Sequence, residues 1–332
     1  MKARSILLLT TSLLLLAEGG IAQSRPSFDF GQGVSPAFEG WEENEDGSFN
    51  IVFGYMNRNW EEKVQVPVGP SNYFALVDHG ALNDSEVSGY DANRADQGQP
   101  TVFLPRRNRF IFKVRVPASF AEGSQELVWT LESGGSLERA YGSLARDYRI
   151  DNMIIMSETG ALGAGSSNEQ VRANTPPVIE LETGIDQVLT VRTGESVTLA
   201  ARVTDDGVPR RGGSAPSPTA TPEQLLNRAL NPPRRITVGK VNGLYFSWYV
   251  YRGQAGPVSF DPPQVKTWED TRAFANSPWA PFWVPPAAPE GDRWVTIATF
   301  NEPGTYILRG RADDGGLFSD VEVTVQVTGP VL

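Results

Sequence analysis

Residues 303–316 read PGTYILRGRADDGG. Tyr306, Leu308, Gly310 and Ala312 fall on one side of an extended chain, and Ile307, Arg309 and Arg311 on the other. The spacing predicts a half-buried strand, entered through Pro-Gly and left through Asp-Asp-Gly-Gly. A second stretch, GESVTLAARVTDDG at 194–207, is built the same way. There Val197, Leu199, Ala201 and Val203 alternate with Thr198, Ala200, Arg202 and Thr204, and Asp-Asp-Gly again follows. Phe246, Trp248 and Val250 alternate through a third strand, and Val321, Val323, Val325 and Val327 through a fourth. Four such strands need a facing layer, so this half of the chain reads as a sandwich closed around Trp248.

The order of these pieces resembles the PKD-like branch of immunoglobulin-type sandwiches. The matching parts are the Pro-Pro entry at 176–177, GESVTLAARVTDDG, the tryptophan of FSWYVYRGQAGPVSF and PGTYILRGRADDG. They cover roughly half of residues 176–328, and such folds are recognised by this strand and tryptophan pattern. Two insertions, Pro209 to Arg235 and Asp261 to Asp292, have no counterpart, and the WDFGDG signature of the best-known PKD repeats is missing. The resemblance implies a tyrosine corner at Tyr306, two residues before the position that holds cysteine in antibody domains. Leu199 and Leu308 then take the place of the absent disulfide against Trp248. Burying these three side chains is worth roughly 1.5–3 kcal/mol each, comparable with a disulfide's contribution of about 2–4 kcal/mol.

Outside this half, Pro (25) and Gly (33) punctuate short aromatic and β-branched runs, and helical periodicity is nearly absent. The expected fold is all-β, with two tandem antiparallel sandwiches over 26–160 and 176–328 and a small, polar linker at 161–175. In the first, Asp46-Gly47 turns a hairpin between 36–41 and 48–56. KVQVPV (63–68), TVFL (101–104), NRFIFKVRV (108–116) and ELVWTLE (126–132) read as strands, and Val77 to Pro100 as a long loop. Phe110, Phe112 and Val114 are expected opposite Ile111, Lys113 and Arg115. This first half is similar only to uncharacterised secreted bacterial proteins. In the first insertion of the second half, Thr221, Pro222 and Gln224 form a capping box that opens a short helix.

Residues 1–22 carry Lys2 and Arg4, a short apolar run from Ile6 to Leu16, and small residues before Gln23. That is a cleavable signal peptide, too short to span a bilayer, so a secreted or periplasmic product is expected. Without cysteine there is neither a disulfide framework nor a lipidated cysteine. The 39 acidic against 29 basic side chains argue against nucleic acid or an anionic membrane surface as partner.

Two constellations stand out. The loops after the two Asp-Asp strands emerge at one end of an immunoglobulin-type sandwich, bringing Asp205, Asp206, Asp313 and Asp314 together, with Asp320 nearby. Each is either a turn residue bonding its own backbone, helped by Arg210, Arg211, Arg234 and Arg235, or a ligand to a structural calcium ion; no other cofactor is called for. Tyr245, Tyr249 and Tyr251 leave the far face of the tryptophan strand beside Arg309 and Arg311, with Glu322 in reach. That face is either a seat for a protein or glycan outside the cytoplasm or is covered from within, for instance by the Trp279/Phe282/Trp283 insertion. Trp279 and Trp283, with Trp268, would make a stacking platform for carbohydrate.

Reactive chemistry is sparse. His79 is the one imidazole, with no nucleophile motif beside it. Glu42, Glu43, Asp46, Glu61 and Glu62 are the carboxylates a glycoside hydrolase would draw on, but no motif singles out a pair. The sequence points to a non-enzymatic exported binding or structural protein, with carbohydrate binding as the alternative and hydrolysis behind it.

Overall fold

The computed structural model describes residues 28–78, 89–159, 172–182, 188–209, 221–230, 243–268 and 288–329. The signal segment, His79, Trp279, Phe282, Trp283 and the four arginines 210, 211, 234 and 235 lie outside the described residues.

The first half holds β1 (Val34–Glu43), β2 (Phe49–Asn57), β3 (Val64–Gln65), β4 (Asn72–Asp78), β5 (Val102–Phe103), β6 (Arg106–Val116), β7 (Gln125–Ser133) and β8 (Ser136–Gly142). These form sheets β1-β2-β6 and β4-β7-β8 and a short β3-β5 pair. Trp129 sits at the centre of the core, ringed by Phe53, Phe74, Phe103 and Phe112 at centroid separations of 5.0–6.2 Å. The β1–β2 hairpin turns at Gly47, whose φ of 79° is the left-handed value that Asp-Gly supplies at least cost. KVQVPV gives only the two-residue β3, because Pro67 has no N–H for a ladder. Strand β4 was not legible as a strand; it runs to Asp78, so the long loop starts later than expected.

One departure in β6 matters later. The β2–β6 register jumps from Phe53↔Phe112 to Tyr55↔Asn108, so Arg109, Phe110 and Ile111 bulge opposite Gly54 alone. Phe110 has φ 51°. The reversal sends Phe110 away from Phe112 and Val114, into a separate cluster with Val52 and Ile150, while Ile111 joins the main core. Gly54 is obligatory there, since a Cβ would lie 2.4 Å from the Asn108 carbonyl oxygen.

Helix α1 (Asn152–Thr159) follows, opened by Asp151, whose carboxylate accepts the Ile154 N–H at 2.9 Å. The second half has β9 (Val178–Leu181), β10 (Leu189–Arg192), β11 (Ser196–Thr204), α2 (Pro222–Leu230), β12 (Tyr245–Arg252), β13 (Val258–Asp261), β14 (Arg293–Phe300), β15 (Gly304–Asp313) and β16 (Phe318–Thr328). The expected capping box opens α2. The Thr221 N–H donates to Gln224 Oε1 at 2.9 Å, and the Gln224 N–H to Thr221 Oγ1 at 3.2 Å.

Sheet β13-β14-β11-β9 faces sheet β10-β16-β15-β12, the strand order of an immunoglobulin-type sandwich. Val197, Leu199, Ala201, Val203, Phe246, Val250 and Leu308 are buried between them with Trp248, which is 3 % exposed. Gly310 allows the close approach, because a Cβ would meet the Phe246 ring at 2.6 Å and Trp248 at 3.2 Å. The Tyr306 hydroxyl donates to the Glu302 carbonyl at 2.9 Å, the tyrosine corner that the resemblance implied. Tyr306→Phe is expected to lower stability in urea by about 1 kcal/mol with an unchanged m-value. A loss near zero would make the corner ornamental.

Candidate functional site: the arginine seam and the aspartate pole

Strands β12 and β15 lie side by side, so residues leaving the same face come into register. Tyr249 pairs with Arg309, and Ser247 with Arg311. On the other side of β15, Arg309 is opposite Glu322 and Arg311 opposite Asp320. The face therefore carries a row of phenols, a row of guanidiniums and a row of carboxylates, as the alternation of the sequence required.

What lies over it was not foreseen. The face was expected to be open to a ligand or closed by the tryptophan insertion, but the first sandwich covers it. Tyr249 and Tyr251 belong to the same buried cluster as Tyr55, Phe112 and Trp129. Arg311 is 1 % exposed, and Tyr245, Tyr249, Tyr251 and Arg309 are also buried. A seat for a partner needs accessible side chains, so these five are corrected to internal ones.

The seam has a specific chemistry. A bulge leaves backbone groups without ladder partners, and the bulge in β6 turns three carbonyls toward the second sandwich. Arg309 Nη1 donates to the Ile111 oxygen. Arg311 Nη2 donates to Phe110 at 3.1 Å and Nη1 to Arg109 at 3.4 Å. The guanidiniums keep carboxylate partners: Arg311 is bidentate to Asp320 at 2.7 Å on both arms, and Arg309 holds Glu322. Each also sits over an aromatic ring, Arg309 Cζ 3.4 Å from the centre of Tyr251 and Arg311 Cζ 4.0 Å from that of Phe318. Each buried charge thus has a counter-charge and at least one carbonyl acceptor, the condition for tolerating it away from water. Burial also pushes the Tyr55, Tyr249 and Tyr251 phenols above the usual tyrosine range, so they stay neutral in the seam.

Further ties flank it. Lys266 Nζ donates to the carbonyls of Pro105 and Arg107 at 2.8 and 2.7 Å. Trp268 Nε1 donates to Asn108 Oδ1 at 3.1 Å, and its ring packs on Tyr249. Trp268 is therefore engaged within the chain rather than standing out as a carbohydrate platform. The Thr101 N–H pairs with the Tyr251 oxygen, and Arg252 reaches Asp96 and the Gln99 carbonyl.

Just beyond Arg311, at the C-terminal end of β15, the aspartates gather at one pole, but not as a single cluster. Consecutive residues 174 and 175 join the two loops. The Thr175 N–H and hydroxyl donate to Asp206 Oδ2 at 2.9 and 2.8 Å, while the Asn174 amide borders the Asp314 carboxyl. Asp206 also accepts the Val208 N–H, and Asp320 belongs to Arg311. Asp205, Asp313 and Asp314 each cap their own turn, accepting from Gly207, Gly315, and Gly316 with Leu317. Among the described residues no three acidic, histidine or cysteine side chains are arranged to hold a metal. The five-carboxylate arrangement is thus corrected: Asp206 and Asp320 are already fully engaged. Asp314 is the unusual member. It is 0 % exposed, and burial pushes its carboxyl up to about 7.

The catalytic candidates fare differently. Glu42 pairs with Lys113, Glu43 with Arg149 and Asp46 with Arg115 on the outer surface of the first sandwich, and Glu62 accepts the Gly31 N–H. Among the described residues no helix is long and apolar enough to cross a membrane.

No family model matches the chain, and no curated protein matches it. Solved structures do. A chimeric titin Z1Z2 carrying a decorin-derived peptide aligns over 90 % of this chain and 99 % of its own, at 12 % identity and TM-score 0.21. The titin immunoglobulin tandem A164-A165 aligns over 90 % and 99 %, at 5 % identity and TM-score 0.21. Domains 4 and 5 of the S-layer protein SbsC align over 90 % and 98 %, at 8 % identity and TM-score 0.20. These scores are below what shared topology gives. The immunoglobulin-type assignment rests on the strand order above.

Proposed function

We propose that the chain is an exported, non-catalytic structural or binding module whose two sandwiches act as one body. The seam carries this reading. The aromatic and guanidinium side chains best suited to gripping a partner hold the halves together, so the chain's chemistry goes into cohesion rather than turnover. Residues 1–22 would direct export, the division at 161–175 would join the sandwiches, and partners would be proteins or glycans outside the cytoplasm, met through outer loops. The ion pairs of Glu42, Glu43 and Asp46 leave these carboxylates committed, which weighs against hydrolysis.

Two measurements test it. Fractionation should place the product outside the cytoplasm with Gln23 as its first residue; retention of Met1 in the cytoplasm would reject export. Scanning calorimetry of residues 23–332 should give one transition with equal calorimetric and van't Hoff enthalpies; two separate transitions would reject the single body. Glycan binding is the second reading, carried by the tryptophan-rich insertion of the sequence with Trp279 and Trp283. Binding on a glycan array that collapses in Trp279→Ala and Trp283→Ala would promote it.

A further inference from the structure

The second sandwich is left open at one corner. Strand β13 pairs with β14 from Phe300 to Ile297 and then stops, because Pro262 and Pro263 follow Asp261 and neither has an N–H for a ladder. Strand β14 runs on to Arg293, so among the described residues no strand lies beside 293–296 on the β13 side. Past the prolines, Gln264 stands between the layers. Its Oε1 accepts the Trp248 N–H of β12 at 2.9 Å, and its Nε2 donates to the Pro262 carbonyl at 2.9 Å and to Thr296 Oγ1 at 3.3 Å. One side chain thus links the layers where a longer β13 would have covered the gap.

At this corner lies a cavity of about 280 Å³. Phe246 and Trp248 line it from one layer, Trp294 from the other, and Pro262, Pro263 and Val265 from the segment after β13. It opens to the surface, since Val265 and Val295 on its wall are 40 % and 39 % exposed. Its rim is acidic. Asp261 precedes Pro262, Glu290 follows the lining residue Pro289, and Asp292 lies two residues before Trp294. All three carboxylates are exposed, and among the described residues none is in an ion pair, whereas Arg293 is held by Glu182 and Lys266 by two carbonyls.

We propose that this corner binds an extended segment of a partner protein. The segment adds a strand to β14 at 293–296, seats one large apolar side chain between Trp248 and Trp294, and sets Lys or Arg against the acidic rim. Each feature selects part of that chemistry. An unpaired strand edge is completed by another backbone, and the pocket beside it reads a side chain of the added strand. An apolar cavity of about 150 Å³ already takes up benzene, so this one has room for a large side chain. Unpaired carboxylates favour a basic neighbour. The chain's own WAPFWVPP at 279–286 has no basic residue and three prolines, so it supplies neither the charge nor a run of N–H groups. The proposal names a partner class for the binding module inferred above and rests on that reading.

The test is fluorescence anisotropy of residues 23–332 with labelled peptides of the form Lys-Thr-Val-X-Val-Thr-Lys, where X is Leu, Phe or Trp. Two control sets replace both lysines by glutamate or both valines by proline. We expect at least one lysine peptide to bind, and its glutamate and proline forms to bind roughly tenfold more weakly. Val265→Trp fills the mouth from an exposed position and should weaken binding by a similar factor. Glu290→Lys should shift preference toward the glutamate form, which keeps the test open if Val265→Trp fails to fold. Glu42→Gln, on the outer surface of the first sandwich, should bind like the unaltered chain. No binding of any lysine peptide at about 1 mM overturns the proposal, as does equal binding of the proline form, which would leave an apolar cavity without strand addition. Binding that appears only after deletion of 279–286 gives the corner to the chain's own insertion, and self-association lost in Val265→Trp gives it to a second copy; either overturns the proposal. A failure here alongside export and a single melting transition removes this corner and leaves the module reading in place.

Discussion

Arg311→Met lowers the Tm of the mature chain on the order of 10 °C, and both sandwiches still melt together. The magnitude comes from the partners left behind. Methionine fills the stem of the arginine but abandons the carbonyls of Arg109 and Phe110 and the Asp320 carboxylate. Breaking a buried pair by removing one member costs about 3–5 kcal/mol, and each kcal/mol moves the Tm of a large domain by roughly 2–4 °C. The double variant Arg311→Met/Asp320→Leu separates ion pairing from carbonyl capture. If the ion pair were all that mattered, removing both charges would restore most of the loss. The carbonyls of the β6 bulge remain unmet in the double variant, so recovery should stay well short of the unaltered chain. Full recovery, read by calorimetry, would reduce the seam to a salt bridge.

Asn72→Ala should be about as damaging, with a loss of roughly 3–6 kcal/mol. Asn72 is completely buried; its amide donates to the carbonyls of Val66 and Pro100, and its oxygen accepts from Trp129 Nε1, all at 2.9 Å. Alanine strands three groups at once, at about 1–3 kcal/mol each. The loss falls where β3, β4 and the approach to β5 meet around the central tryptophan. Urea unfolding followed by circular dichroism would show the midpoint falling with little change in m. A loss under about 1 kcal/mol would mean that water replaces the amide, and the first core would then be more open than its packing indicates.

The second sandwich was largely legible because alternation is a local property. Val197 to Val203, Phe246 to Val250 and Tyr306 to Ala312 each state which side chains share a face, and two such faces must meet. The same alternation showed that Tyr249, Tyr251, Arg309 and Arg311 leave the opposite face, but it says nothing about what covers them. That information sits in β6, and the deciding event there is a positive φ at Phe110, inside an aromatic run with no glycine to announce it. Strand β4 was hidden for a related reason, since its neighbours are rich in Asp, Asn and Gly and drew it into the loop reading. Helix α1 did carry a signal, Asp151 ahead of Asn152, Met153 and Ile154. The aspartate pole was half legible: the doublets show the turns, but not that each turn uses a single carboxylate oxygen.

The distance along the chain between the two sides of the seam has its own consequence. Phe110 and Arg311 are 201 residues apart, and a ribosome adding about 5–20 residues per second takes roughly 10–40 s to cover that span. During this interval the nascent first half has nothing to cap Arg109, Phe110 and Ile111. Contacts between such remote residues also form slowly once the chain is free. The polypeptide therefore stays incomplete until its last strands arrive, and for that time it is exposed to chaperones and proteases.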